Sequence, residues 1–106
     1  MSRDPKYDVL FEPVEIGAKT MPNRFYKTPH CSNFGTDYPG DQAYLRAVAA
    51  EGGWGVVNTE YCSIHPESDA APHIGARLWD DADVRNLALM CEKAHEHGAL
   101  ASVQLW

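Results

Sequence analysis

Three short apolar runs, separated from one another by stretches with helical spacing, constrain this chain more than anything else in it. The runs cover residues 25–28 and 54–60 and the stretch that begins at Ala99. After the first run, Ala43, Tyr44, Ala47, Val48 and Ala49 populate one side of a helix, for which Asp41 is a suitable N-cap. Glu51-Gly52-Gly53 ends that helix, with glycine where a left-handed residue is expected. After the second run, Val84, Leu87, Cys91 and Ala94 recur at helical spacing, and Leu89 and Met90 broaden the stripe. This helix opens at Asp80 or Asp81, whose carboxylates suit the positive helix start, and Gly98 stops it. A strand reached through a helical crossover lies parallel to the strand before it. The order strand, helix, strand, helix, strand therefore predicts an α/β fold with a parallel sheet. Strands of such a sheet are covered on both faces, in keeping with Val56-Val57 and the run from Leu100 to Leu105.

The remainder is simpler. Residues 1–9 read as a polar arm. Phe11, Val14 and Ile16 alternate around Pro13 as an interrupted strand, residues 17–20 suit a turn, and residues 21–24 suit the returning arm of a β-hairpin. Residues 32–40 and 62–79 are rich in glycine, proline and short polar residues and read as loops, with His65 and His73 in the solvent. Two architectures accept this order. A (β/α)8 TIM barrel takes about 250 residues, so the 106 residues here supply its first three βα units behind an N-terminal β-hairpin, as an incomplete barrel. An open doubly wound sheet is the rival, but no glycine-rich phosphate turn follows the first strand. Because the third run reaches Trp106 with no cap or turn behind it, residues 1–106 are expected to be the N-terminal fragment of a longer barrel domain.

Charge and cysteine content narrow the partners. Fifteen acidic and nine basic residues give a net charge of −6, unsuited to nucleic acid or an anionic membrane surface, both of which favour a basic patch. No stretch reaches the roughly eighteen apolar residues of a membrane span. The first residues, MSRDPKYD, lack the apolar run of a secretory signal. Three widely spaced cysteines fit a reduced, cytoplasmic chain, and none has the CxxC spacing of a structural zinc site. No metal site is expected.

In parallel α/β folds the chemistry sits at the carboxyl edge of the sheet. That edge carries His30, Cys31, Glu60, Tyr61, Cys62, Gln104 and Trp106. A cysteine there is a nucleophile where positive charge favours its thiolate, and otherwise packs as a small hydrophobe. A tyrosine ring attracts an organic cation or simply covers the sheet end. A glutamine offers a paired donor and acceptor, suiting a ring with a carbonyl beside an N–H. Glu60 can pair with Arg24 or Arg77 as readily as it can face a ligand. Cys62 and Cys91 are expected to pack in the core. His95 and His97 complement the negative end of their helix and, two residues apart, make a poor metal pair. Together the strand ends suit a flat, polar heteroaromatic cofactor with an amine above it.

The stretches LFEPVEIG, MPNRFYKTPHC, AEGGWGVVNTEYCSIHPESD, ARLWDDADVRNL and HGALASVQLW resemble the N-terminal part of the trimethylamine, dimethylamine and histamine dehydrogenase family, within the old yellow enzyme group of FMN barrels. The resemblance runs from about Arg3 to Trp106, and PHC and NTEYCSI are its specific motifs. It implies a 6-S-cysteinyl FMN at Cys31, with Pro29 and His30 flanking the flavin. It places Glu60 and Tyr61 beside flavin and substrate, with Tyr61 in the aromatic cage around an alkylammonium group, and Gln104 on the flavin pyrimidine edge. Tyr61 disfavours a dimethylamine substrate. Gln104 stands where trimethylamine enzymes carry glutamate, which keeps histamine or another primary amine open.

The implied reaction is oxidation of a small amine, trimethylamine- or histamine-type, to an aldehyde and a released amine. The electrons leave through a [4Fe-4S] cluster to an external acceptor, in a homodimeric parent. The later catalytic groups and the cluster cysteines lie beyond residue 106 in that family, so no catalytic residue is assigned here. Two other readings stand beside this one: an ene or dienoyl-thioester reductase with non-covalent FMN, and a structural fragment without activity of its own.

Overall fold

A computed structural model describes residues 2–35, 37–68 and 75–106. His73 and Pro72, expected in a loop, lie outside the described residues. A 3-10 helix, Pro5–Phe11, replaces the expected polar arm. The Asp4 carboxylate accepts the Lys6 amide at 3.0 Å to cap it, and Pro5 supplies the backbone angle a first helical turn needs. Strands β1 (Val14–Ile16) and β2 (Lys19–Met21) pair antiparallel, with Val14 opposite Met21. The returning arm thus starts at Lys19, earlier than residues 21–24. Gly17, at φ 56°, takes the left-handed conformation that permits so tight a turn, and Pro22, without an N–H, ends the pairing.

The main sheet is parallel. Strand β4 (Val56–Ser63) is its axis. Along one side β6 (Leu100–Leu105) pairs with it from Val56↔Leu100 to Cys62↔Leu105. The other side is shared: β3 (Tyr26–Lys27) pairs at Tyr26↔Val56, and β5 (Ala76–Arg77) pairs higher up at Cys62↔Ala76. Strand β4 therefore runs three residues past residue 60, and β5 occupies what reads in the sequence as loop. Between Asn58 and Tyr61 the register slips. β4 advances from 58 to 61 while β6 advances only from 102 to 104, so one extra residue of β4 is accommodated as a bulge.

Helices α1 (Pro39–Glu51) and α2 (Asp81–His95) cover the same face of the sheet. Ala50 of α1 and Ala94 of α2 meet Val57 and Ala99 in one apolar cluster, and Leu87 of α2 meets Cys62 and Ala76 in a second. Consecutive right-handed crossovers put successive helices on one face when the strands are added in order. This is the arrangement of neighbouring βα units in a barrel; the sheet is not closed within this chain. Ile16 and Lys19 of the hairpin line one cavity with Tyr26, Val56, Leu100 and Ser102. Among the described residues no helix is long and apolar enough to cross a membrane.

The two helices depart from their expected faces. α1 begins at Pro39, two residues ahead of Asp41, because proline is pre-organised for the first helical position; Tyr38 stands at the N-cap without a side-chain bond. Its inward residues are Gln42, Ala43, Arg46 and Ala50, while Tyr44 (67% exposed) and Val48 (48%) face outward. α2 is capped by Asp80, which accepts the Asp83 amide at 3.0 Å. Its buried residues are Asp83, Leu87, Met90 and Ala94. Val84 is exposed and Cys91 only half-buried, so Cys91 flanks the core.

Candidate functional site

The site grows from three consecutive polar residues inside β4: Asn58, Thr59 and Glu60. All are wholly or almost wholly buried, so each needs hydrogen-bond partners. Asn58 ties three strands together. Its amide donates to the Lys27 carbonyl at 2.9 Å, and its Oδ1 accepts from Ser102 Oγ at 2.6 Å. The Ser102 and Asn58 contacts draw the Tyr26 phenol below its ordinary pKa. Thr59 Oγ1 accepts the Gln104 backbone N–H at 3.4 Å.

Glu60 turns toward the segment that leaves β3. Its Oε2 accepts the Ser32 amide at 2.7 Å, the Asn33 amide at 3.2 Å and the Ser32 hydroxyl at 3.2 Å. Its Oε1 accepts from Gln42 Nε2 at 3.1 Å. The expected pairing with Arg24 or Arg77 is not what occupies it: the Arg77 guanidinium lies 3.3 Å from Asp83. A strand buried on both faces leaves Glu60 no path to a surface arginine, whereas the amides of residues 32 and 33 pass directly over it.

Arg46 grips the same segment from the other side. It is 1% exposed. Its Nε donates to the Asn58 carbonyl at 2.8 Å and its Nη2 to the His30 carbonyl at 2.7 Å. Burial draws the guanidinium below its ordinary pKa, and the negative charge of Glu60 opposes that shift. Cys31 sits between the two grips, half-buried, with its Sγ 3.3 Å from Asn33 Oδ1. Burial pushes the thiol up, the Asn33 amide pulls it back, Glu60 adds to the upward push, and the Tyr61 hydroxyl opposes it.

Tyr61 is half-buried. Its hydroxyl accepts the Gly75 amide at 3.3 Å, and its ring lies 5.9 Å from that of Trp106. Gly75 is closely surrounded: a Cβ there would stand 3.2 Å from Tyr61 Cζ and 3.3 Å from Glu60 Cδ, so these side chains would have to give by a few tenths of an ångström. Gln104 is the cross-strand partner of Tyr61, and its exposed side-chain amide makes no hydrogen bond among the described residues. Pro29 is half-buried and His30 exposed. Cys62 points the other way, into the cluster with Leu87, where burial raises its pKa.

Cys31, Tyr61 and Gln104 thus share one edge, with Glu60 behind it. The residues that sequence reasoning missed are Gln42, Arg46, Asn58 and Ser32. Periodicity of apolar residues turned α1 the wrong way, since its inner face is polar at two positions. The available signal was Asn58-Thr59-Glu60: three polar residues in a row within a two-sided strand require buried donors from the helix packed upon it.

This edge of a parallel sheet, with a thiol, a phenol and an uncommitted amide above a buried polar support, defines a class. The chain belongs to the NADH:flavin oxidoreductase / NADH oxidase family, which it matches over residues 9–106. Dimethylamine dehydrogenase from Hyphomicrobium sp. (strain x) is 53% identical over all 106 residues, which span 14% of that relative. The structure of histamine dehydrogenase from Rhizobium sp. 4-9 superimposes with a TM-score of 0.93 at 48% identity, over 97% of this chain and 16% of that one. The 6-hydroxypseudooxynicotine amine oxidase of Pseudomonas geniculata N1 gives 0.92 at 46% identity, over 98% and 16%. The chain therefore spans about one sixth of the length of these relatives.

Proposed function

We propose that residues 1–106 form the first three βα units of a (β/α)8 barrel in an FMN-dependent amine dehydrogenase. The observation that carries this reading is the shared edge of Cys31, Tyr61 and Gln104. The free Gln104 amide suits a pyrimidine ring that presents a carbonyl beside an N–H. The half-buried Cys31 thiol suits covalent attachment at the flavin rim, as a 6-S-cysteinyl FMN, and the donor set therefore fits this cofactor. Pro29 and His30 would line the flavin beside Cys31. Glu60, whose oxygens are taken by Ser32, Asn33 and Gln42, serves the cofactor by holding the Cys31 segment.

FMN, when bound, supplies the two-electron acceptor for oxidation of the amine. The chain's own contribution is positional. Tyr61, backed by Trp106, offers an aromatic face to an alkylammonium group, an attraction of about 0.5–2 kcal/mol, and Gln104 orients the pyrimidine edge. The relatives act, by name, on dimethylamine, histamine and a larger amine, which supports a small amine as the substrate class. The dimethylamine relative also returns that secondary amine to the candidates beside trimethylamine- and histamine-type substrates, in spite of Tyr61. An external electron acceptor, a [4Fe-4S] cluster outside these residues, a homodimer and a cytoplasmic setting complete the proposal, and residues 1–106 alone are inactive.

Acid denaturation of the full-length flavoprotein tests it. Yellow colour is expected to stay with the polypeptide and to wash away from Cys31→Ala. Colour released from the unaltered protein overturns the thioether and favours a reductase with non-covalent FMN.

A further inference from the structure

The support beneath Cys31 is more elaborate than a fold requires. Residues 30–33 form no strand or helix, yet a buried cation and a buried anion hold them from opposite sides. Arg46 binds the carbonyl immediately before Cys31, and Glu60 binds the two amides immediately after it. Both side chains are fixed in turn: Arg46 by the Asn58 carbonyl, and Glu60 by Gln42. Burying two charged groups is costly unless each is well bonded. Apolar residues at 46 and 60 would hold helix to sheet at least as well, and Ala50 and Ala94 do so a turn or more away.

We propose that Arg46 and Glu60 are a paired positioning clamp that fixes the Cys31 peptide so that its thiol meets the flavin ring edge. The clamp rests on the covalent FMN reading above. Linking would break the Cys31 S–H bond and one ring C–H bond and form one S–C bond. The two protons and two electrons released would pass together to dioxygen, yielding hydrogen peroxide. Neither Arg46 nor Glu60 takes part in that exchange. Their contribution is a fixed distance and direction, since misplacement by as little as 1 Å can slow a reaction about a hundredfold.

The test uses the full-length protein with Arg46→Met, Arg46→Lys and Glu60→Ala, and with Leu87→Ala as a control that weakens the far side of the same core. Two quantities are read: the fraction of bound FMN that survives acid denaturation, and the hydrogen-exchange rate of amides in residues 30–34. Each clamp variant is expected to bind FMN but to retain at least threefold less after acid. Exchange in residues 30–34 should be at least tenfold faster, with α2 and β6 unchanged. Arg46→Lys, which keeps the charge but lacks the rigid fork that spans the two carbonyls, falls between Met and the unaltered protein. The proposal is overturned if acid-stable flavin and local exchange stay at the unaltered level, or if Leu87→Ala reproduces both changes at the same loss of melting temperature. If the unaltered protein itself releases its flavin, the thioether reading falls and the exchange rates alone decide the clamp. Should a clamp variant fail to fold, Gln42→Glu combined with Glu60→Gln reverses the donor and acceptor and is expected to restore protection of the Ser32 and Asn33 amides.

Discussion

Helices α1 and α2 lie side by side on one face of the sheet, and they meet it by different chemistry. α2 presents Leu87, Met90 and Ala94; it mainly packs, and its one buried charge, Asp83, stays at its own N-terminal end, accepting the Trp79 amide at 3.2 Å and pairing with the partly exposed Arg77 of β5 at 3.3 Å. α1 presents Gln42 and Arg46 beside Ala43 and Ala50; it holds another part of the chain in place. A helix that only covers a sheet can be apolar, whereas one that positions a neighbouring loop carries donors into the interior.

The contrast can be broken by substitution. The largest loss is expected on the α1 side, from Glu60→Ala, which strands two amides and the Arg46 charge. Removing one member of such a buried charged network costs about 4 kcal/mol, measurable as a lowered urea midpoint of the full-length protein. Equal stability in this variant would mean that the network adds nothing to folding. On the α2 side, Met90→Ala leaves a cavity costing about 3 kcal/mol, but flavin retention after acid should not change. Asp80→Ala removes the α2 cap and costs about 1 kcal/mol, with amide exchange accelerated only in the first turn of that helix.

The smallest effect is a slope with pH. Burial holds the Cys62 thiol above its ordinary pKa in the folded protein. Its share of stability is therefore intact below the unfolded value of about 8.5 and declines as pH rises through the folded value. Cys62→Ala should lose less stability than the unaltered protein as pH rises above about 8.5, as read by paired melting curves. Parallel curves would place the thiol's ionisation elsewhere.

Much of this was legible in the chain, and the unread part has a common cause. The strand–helix order, the Asp80 cap and the glycine ends follow from local rules: a crossover fixes strand direction, a carboxylate fits bare amides, and Gly53 at φ 103° sits where side chains are disfavoured. The convergence of Cys31, Tyr61 and Gln104 followed from strand polarity alone. The roles of Gln42 and Arg46 did not, because apolar periodicity identifies an inner face only when that face is apolar. In α1, Tyr44 and Val48 were better hydrophobes than the residues that are buried. Nor did spacing reveal how far β4 extends, since Cys62-Ser63 reads as the start of a loop until β5 is seen to pair with it.

The extra residue between Asn58 and Tyr61 has a further consequence. A strand of strict alternation gives every second side chain to the same neighbour, so a single strand serves one clientele per face. By slipping one position, β4 changes that assignment midway. Below the slip it braces Ser102 and β3; within it, Glu60 reaches sideways beneath Cys31, and above it Tyr61 faces Gln104. Deleting Thr59 would leave Asn58 opposite Ser102 and Tyr61 opposite Gln104, but would take away the slack that lets Glu60 turn sideways beneath Cys31.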